Sequence, residues 1–416
     1  MTSNIFKGLA LLALLASCSA DETVGLASGH GDTAGNAVYM GNTNASGVVA
    51  VLASDETGAT FSVTPRLAQQ ADTDITVTVE VDAETLATYN KANNLNVLPI
   101  EAGDITLSNA SGQEAKGKIT ATIKAGDIST VVNGKLSSLS ADKYPYSGRY
   151  AVPLKITKVE GPYKLLSSPQ TTIVNLNRKI KTSVLHVTST NGDHGYTMLM
   201  TAKPEYTEEM HEWTVQYIAQ FNNLGNSNQT TASLRGGKGF YNRISLSQGL
   251  QAKTEGRDGD DTWTLKKPTV GEWMHVSYVY RKSGLVGHLT IYVNGEAHRS
   301  FVTSLLYPIG NEGGWGFGNN NLRDYYLREF RFWNRALTPA EIQDKYYLPE
   351  QPDAPGLEAY FPFTKETYDP ETKSFRDLSG QWTFSFAPKI VSGEVNLNME
   401  IVENVVFPAK KLQIEE

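Results

Sequence analysis

The chain of 416 residues has one cysteine, Cys18, so no intramolecular disulfide can staple it. It has no basic stripe. Lys and Arg number 37 against 44 Asp and Glu, a net charge of −7 spread thinly, which argues against nucleic acid as a partner. Long apolar runs are missing too. The longest, Gly8 to Ala16, is too short to span a bilayer as a mature helix. No Gly-x-Ser-x-Gly elbow, His-Glu-x-x-His pair or Walker loop is present, and the seven histidines are scattered. What remains is 40% hydrophobic with 19% charge, enough for real cores. Its 36 glycines and 20 tyrosines suit a β-rich, turn-rich protein of two or three domains.

The lone cysteine sits in an informative place. Lys7 gives a short positive region, the apolar run follows, and Leu15-Ala16-Ser17-Cys18 resembles a bacterial lipobox. That resemblance implies a signal peptide over 1–17, cleavage before Cys18 and a diacylglycerol on its sulfur; an ordinary secretory signal is the alternative. Ser19-Ala20-Asp21-Glu22 resembles the surface-export signal of Bacteroidetes lipoproteins, which implies an outer-membrane, outward-facing address. Residues 18–35, rich in Gly, Ser, Ala and Thr, are expected to be a flexible tether.

Residues 36–177 read as a first domain. Ile75, Val77, Val79 and Val81 alternate with polar residues as a strand with one solvated face, and Asp82 caps a helix from Ala83 to about Lys91. Asn109-Ala110-Ser111-Gly112 and Asn133-Gly134 read as turns. About seven short strands at regular spacing predict an immunoglobulin-like sandwich. VTVEVDAETLATYNK and the downstream SGRYAVPLKI resemble a Bacteroidetes domain of unknown function, found at the N-terminus of surface lipoproteins and sometimes ahead of family-18 endoglycosidases.

Residues 178–416 read as a second domain. Trp213 to Phe221 alternates strongly; Val276, Tyr278 and Tyr280, then Leu289, Ile291 and Val293, do the same, and Asn294-Gly295 supplies a tight hairpin turn. Phe330 and Phe332 mark another strand. Thr338-Pro339-Ala340-Glu341 is a helix-start signature. Trp273-Met274-His275-Val276, Tyr292-Val293-Asn294-Gly295 and Arg331-Phe332-Trp333-Asn334-Arg335-Ala336-Leu337, in that order, resemble the closing half of a laminin-G-like, concanavalin A-like sandwich. The overall expectation is an all-β chain, an immunoglobulin-like sandwich followed by a concanavalin A-like jelly roll. Residues 355–416 either complete that second sandwich or form a small appendage.

The laminin-G-like resemblance extends to glycoside hydrolases, whose chemistry needs paired carboxylates. Glu80-Val81-Asp82-Ala83-Glu84 matches the short family-16 pattern, but strand and cap signals place Glu80 on a strand, Asp82 at a cap and Glu84 on a helix, so the three do not converge. Asp72-Thr73-Asp74 lacks the glutamate of a family-18 site. His275 belongs to a fold motif and reads as structural, whereas His186, His194 and His211 stay open, and so does catalysis by residues that only folding brings together.

Sugars are held by aromatic faces and planar polar groups. The loop Gly313 to Tyr326 offers Trp315, Asn319, Asn320, Arg323, Asp324 and Tyr325, and Trp263 follows an acidic loop. The competing reading makes Trp315 to Phe317 a strand with core aromatics. Asp258, Asp260 and Asp261 are candidate calcium ligands, or simply a solvated acidic loop. These readings, with the family resemblance, imply a non-catalytic carbohydrate-binding lipoprotein of the outer membrane, holding oligosaccharide or glycoprotein glycan near a glycan import complex in a polysaccharide-utilisation system. The alternatives are a divergent glycosidase using the concanavalin-like cleft and a protein-binding adhesin.

Overall fold

The structure is a computed structural model. It describes residues 35–41, 47–93, 95–189, 198–202, 209–226, 229–235, 240–254, 259–303, 307–308, 314–318, 321–344, 346–386 and 397–415. Cys18 lies outside them, as do Asp258, Asn319 and Asn320. The chain divides into two compact units. One comprises 1–90, 97–138 and 150–177, the other 91–96, 139–149 and 178–416.

In the first unit one sheet runs in the order Ala59–Val63, Val132–Leu136, Ile105–Asn109, Glu114–Lys116. Lys118–Ile123, Ile75–Val81 and Tyr150–Glu160 form a second, joined by residues 171–176 of the strand Thr171–Ser189. The helix Ala83–Asn93 starts where its cap predicts: Asp82 accepts from the Glu84 amide at 3.3 Å and from Thr85 Oγ1 at 2.8 Å. Glu80, on the preceding strand, pairs with Lys118 at 2.9 Å, so the family-16 triplet is divided between strand, cap and helix.

One turn signal is overridden. Asn133-Gly134 lies inside a strand, with Gly134 directly opposite Phe61. A Cβ on Gly134 would stand 2.0 Å from the Phe61 ring. The glycine is there to admit an aromatic ring from across the sheet, not to turn the chain. Gly134→Ala is expected to destabilise this unit by about 1–3 kcal/mol through overpacking, with part of the loss recovered when Phe61 is also shortened to leucine. Urea melts of the single and double variants measure this; no recovery in the double variant would remove the ring from the explanation.

The second unit packs two layers around one aromatic core. The larger sheet has the order Glu296–Thr303, Val286–Val293, Trp273–Ser283, Glu212–Phe221, Asp324–Trp333, then residues 180–189. Leu357–Phe361 pairs with the Asp324–Trp333 strand, and Leu397–Phe407 pairs with 180–189. The opposing layer contains Ser233–Arg235, Gly314–Phe317, Met198–Ala202 and Trp382–Phe386, with a smaller sheet of Gln229–Thr230, Tyr241–Ser245 and Gly249–Lys253. Trp213, Tyr217, Tyr278 and Phe332 from the larger sheet pack with Trp315, Phe317 and Phe384 from the other layer. Asn294 and Gly295 have φ of 51° and 83°, the paired left-handed conformation of a two-residue hairpin.

A bulge sets the far face of the larger sheet. Tyr325 and Leu327 point into the core, then so do Phe330 and Phe332, so the alternation slips by one residue. Glu329 is the extra residue, at φ 54°, where the register against the Glu212–Phe221 strand shifts. The slip turns Arg328 and Arg331 to the same outer face, each 1% exposed. Glu329 accepts from Arg328 at 3.0 Å, from Arg331, and from the Tyr360 hydroxyl at 2.9 Å. Arg328 also donates to the Tyr347 carbonyl at 3.1 Å and Arg331 to the Leu348 carbonyl. The cluster therefore clamps the segment after the helix Pro339–Asp344 onto the sheet. That helix opens with the expected capping box: Glu341 N donates to Thr338 Oγ1 at 3.3 Å, and Thr338 N to Glu341 Oε2 at 2.7 Å.

Candidate functional site

The predicted ligand residues do not come together. Trp315 is 0% exposed, with its ring 5.7 Å from Trp213 and 5.4 Å from Phe332. Tyr325 is also 0% exposed, 5.6 Å from Phe317. Neither offers a face to a sugar: each sits on the inward parity of its strand, and the inter-sheet core consumes large aromatics. Arg323 is exposed beside them. Asp324 is tied down, accepting from His186 Nε2 at 2.9 Å and Asn222 Nδ2 at 3.0 Å, with Tyr326 stacked on the His186 ring at 4.2 Å. Trp263 is half-buried under the Arg243 guanidinium at 5.4 Å, and its carbonyl accepts from Arg299 at 2.6 Å. Asp260 and Asp261 are exposed on a short helical turn. Among the described residues no group of three or more His, Cys, Asp or Glu is placed to hold a metal ion.

The described surface offers a different site on the outer face of the same sheet. A cleft of about 470 Å³ is lined by the strand residues Trp273 and His275, by Asn294 of the hairpin, by Gln343, Tyr346 and Tyr347 after the helix cap, and by 407–410 near the C-terminus. Trp273 and His275 face outward because Met274 and Val276 between and after them take the inward parity. Tyr346 and Tyr347 stand at 5.1 Å and 75° to one another, and Tyr346 is 6.3 Å from the His275 ring. Phe407 closes edge-on against Trp273 at 4.9 Å. Lys266, Glu272 and Lys410 form the rim, with Lys410 paired to Glu272 at 2.9 Å. The larger groove of the first unit, about 900 Å³, is lined by Thr, Glu, Gln, Lys, Ala and Ile and presents no aromatic ring.

The cleft floor belongs to a buried polar relay. Trp333 Nε1 donates to Gln216 Oε1 at 3.0 Å, and Gln216 Nε2 donates to Ser277 Oγ at 3.1 Å and faces His275 Nε2 at 3.4 Å. Burial, with the Arg331 guanidinium behind it, lowers His275 to about 3, so the ring is neutral at ordinary pH. Its reading as a structural histidine agrees with 3% exposure, and Trp273 and Trp333 are buried as well, at 7% and 2%. Sequence reasoning missed Tyr346 and Tyr347; a tyrosine pair directly after a short amphipathic helix was the available signal.

Comparison with known proteins bears on the two units separately. A family model described as an N-terminal domain matches residues 33–162. The laminin-G model of the concanavalin A-like lectin/glucanases superfamily matches 191–343. No curated protein matches the sequence. Among solved structures, a candidate carbohydrate-binding protein from Bacteroides ovatus superposes with a TM-score of 0.53 at 16% identity, covering 88% of this chain and 97% of its own. A second Bacteroides ovatus protein, of unknown function, reaches a TM-score of 0.29 at 10% identity over 74% and 97% of the two chains. The chain is therefore a mostly β protein in which an N-terminal sandwich domain precedes a domain with the laminin-G-like, concanavalin A-like fold.

Proposed function

We propose that this protein is a non-catalytic glycan-binding lipoprotein that captures oligosaccharide or glycoprotein glycan at the outer surface of a Bacteroidetes-like cell, beside an import complex, and that the Trp273–Tyr346 cleft is the binding site. The observation that carries the reading is the make-up of that cleft. Tyrosine rings wall it, and indole, imidazole and amide groups line it, the combination that holds a sugar ring by its apolar face and its hydroxyls. The lectin/glucanase superfamily match of this domain and the likeness to a candidate carbohydrate-binding protein point the same way. Glu272 is the one carboxylate among the residues lining the cleft, and glycoside cleavage ordinarily uses two.

Calorimetric titration of the full-length protein against plant, fungal and host glycans, with and without chelator, tests this. Saturable binding without new reducing ends is expected, and Tyr346→Ala should weaken it about tenfold. Released sugars would overturn the non-catalytic reading, and binding untouched by Tyr346→Ala would move the site elsewhere. The address is tested separately. Cells fed labelled palmitate should lipidate the wild type but not Cys18→Ala, and surface protease should reach the anchored protein.

A further inference from the structure

The polar groups of the cleft are biased to one sign. An indole N–H is only ever a donor, so Trp333 fixes which end of the Gln216 amide is oxygen. The amide nitrogen therefore faces His275 Nε2, and that ring nitrogen is the acceptor. A neutral imidazole accepting at Nε2 carries its proton on Nδ1. His275 Nδ1 is buried and has no hydrogen-bond partner among the described residues, and the same is true of Trp273 Nε1. Both orphans are thus N–H donors, two residues apart on one strand face, in residues that line the cleft. Trp315 also leaves its indole nitrogen without a hydrogen-bond partner among the described residues, but in the apolar core between the layers.

Two further lining groups, Asn294 and Lys266, share this bias. Asn294 Oδ1 accepts from the His275 amide at 2.9 Å, which leaves its NH₂ as the outward end of an exposed side chain. Glu272, the one acid of the cleft, is already matched by Lys410. Among the described residues no carboxylate pairs with Lys266, so the rim keeps one uncompensated positive charge. A buried donor without an acceptor is destabilising, and an entering oxygen would relieve that cost.

We infer that the cleft selects acidic sugars, with the carboxylate of a uronic or sialic acid accepting from Trp273 and His275 while Lys266 neutralises its charge. Both donor atoms are buried as the cleft stands, so a wall must yield to admit it, and Tyr346, whose ring lies 6.3 Å from that of His275, is the wall we assign. This inference rests on the cleft being the glycan site.

The full-length protein is titrated with oligogalacturonate, a hyaluronan oligosaccharide and 3′-sialyllactose, each beside a carboxyl-methylated or neutral counterpart of equal length. At least one acid should bind about tenfold or more tighter than its neutral partner, with affinity falling as salt rises. Trp273→Phe keeps the ring and removes the N–H, and it should erase most of that preference. Lys266→Met, at an exposed position, should weaken only the acid, by about threefold to tenfold. Equal binding of acidic and neutral sugars that Tyr346→Ala still weakens would overturn the acidic preference and leave the site standing. Acid binding that ignores Tyr346→Ala, Trp273→Phe and Lys266→Met alike would overturn both.

Discussion

Glu329→Gln is expected to destabilise the second unit by about 3–5 kcal/mol, the cost of removing one partner from a buried ion cluster. The change is nearly isosteric, so no cavity is made and the loss is electrostatic. Arg328, Glu329 and Arg331 are each 1% exposed, and Tyr360 is 2% exposed. Burial lowers Arg328 despite Glu329 beside it, whereas for Arg331, also buried, desolvation is outweighed by Glu329, Tyr360 and Glu350 together, and it is raised. The carboxylate accepts from both guanidinium groups, and Arg331 holds the Leu348 carbonyl. Without the charge, the guanidinium groups lose their counter-ion while still buried, and the segment carrying Tyr346 and Tyr347 loses its clamp. A calorimetric melt should shift down by about 10 °C for a unit of this size, and glycan binding should weaken with it. The exposed pair Lys365–Glu403, at 2.8 Å, is the control: Glu403→Gln should leave the melt unchanged. A Glu329→Gln protein melting within a degree of the wild type would deny the cluster its role.

The same cluster shows where sequence reading reached and where it stopped. Hairpin and helix-start signals at Asn294-Gly295 and Thr338–Glu341 are local, because backbone conformation and capping depend on neighbours in sequence, and the structure has both. Asn133-Gly134 carried an equally good local signal and failed, because the deciding atom, the Phe61 ring, lies across the sheet. The loop from Gly313 to Tyr326 was attractive as a ligand site for its aromatics, yet the alternation of Trp315 with Phe317 and of Tyr325 with Leu327 is core parity. The parity slip at Glu329 is visible in the sequence as Tyr325, Leu327, Phe330, Phe332, but only the fold shows that it brings two arginines to one face. The cleft was beyond reach. Its walls come from 273–275, 346–347 and 407–410, and nothing in the spacing of those segments says they meet.

Acid should unfold the wild type through His275, and His275→Gln should blunt that response. The group stands at 6.5 when unfolded and is lowered to about 3 in the fold, chiefly by burial and then by the Arg331 charge. A depressed histidine binds its proton more readily in the unfolded chain. Its contribution is therefore complete above pH 6.5 and shrinks as pH falls towards 3, by up to about 1.4 kcal/mol per pH unit. Over that window the loss is on the order of 4–5 kcal/mol, comparable with a domain's whole margin. Carboxylates add to the same acid limb: Glu341 is pulled below its ordinary value, because its bonds from Thr338 and Arg335 outweigh its desolvation, but its window lies lower, below 4.5. The two are separable by where the slope begins. Denaturant melts between pH 7.5 and 4.5 should show wild-type stability already falling at pH 6, with His275→Gln less stable at neutral pH but falling less steeply, its residual slope belonging to His298, which burial also holds below its ordinary value. Parallel curves for the two proteins across pH 6.5 to 5 would mean that another group controls the acid response. Because the folded ring stays neutral until about pH 3, the loss of stability should begin well above the pH at which its protonation would alter binding in the cleft.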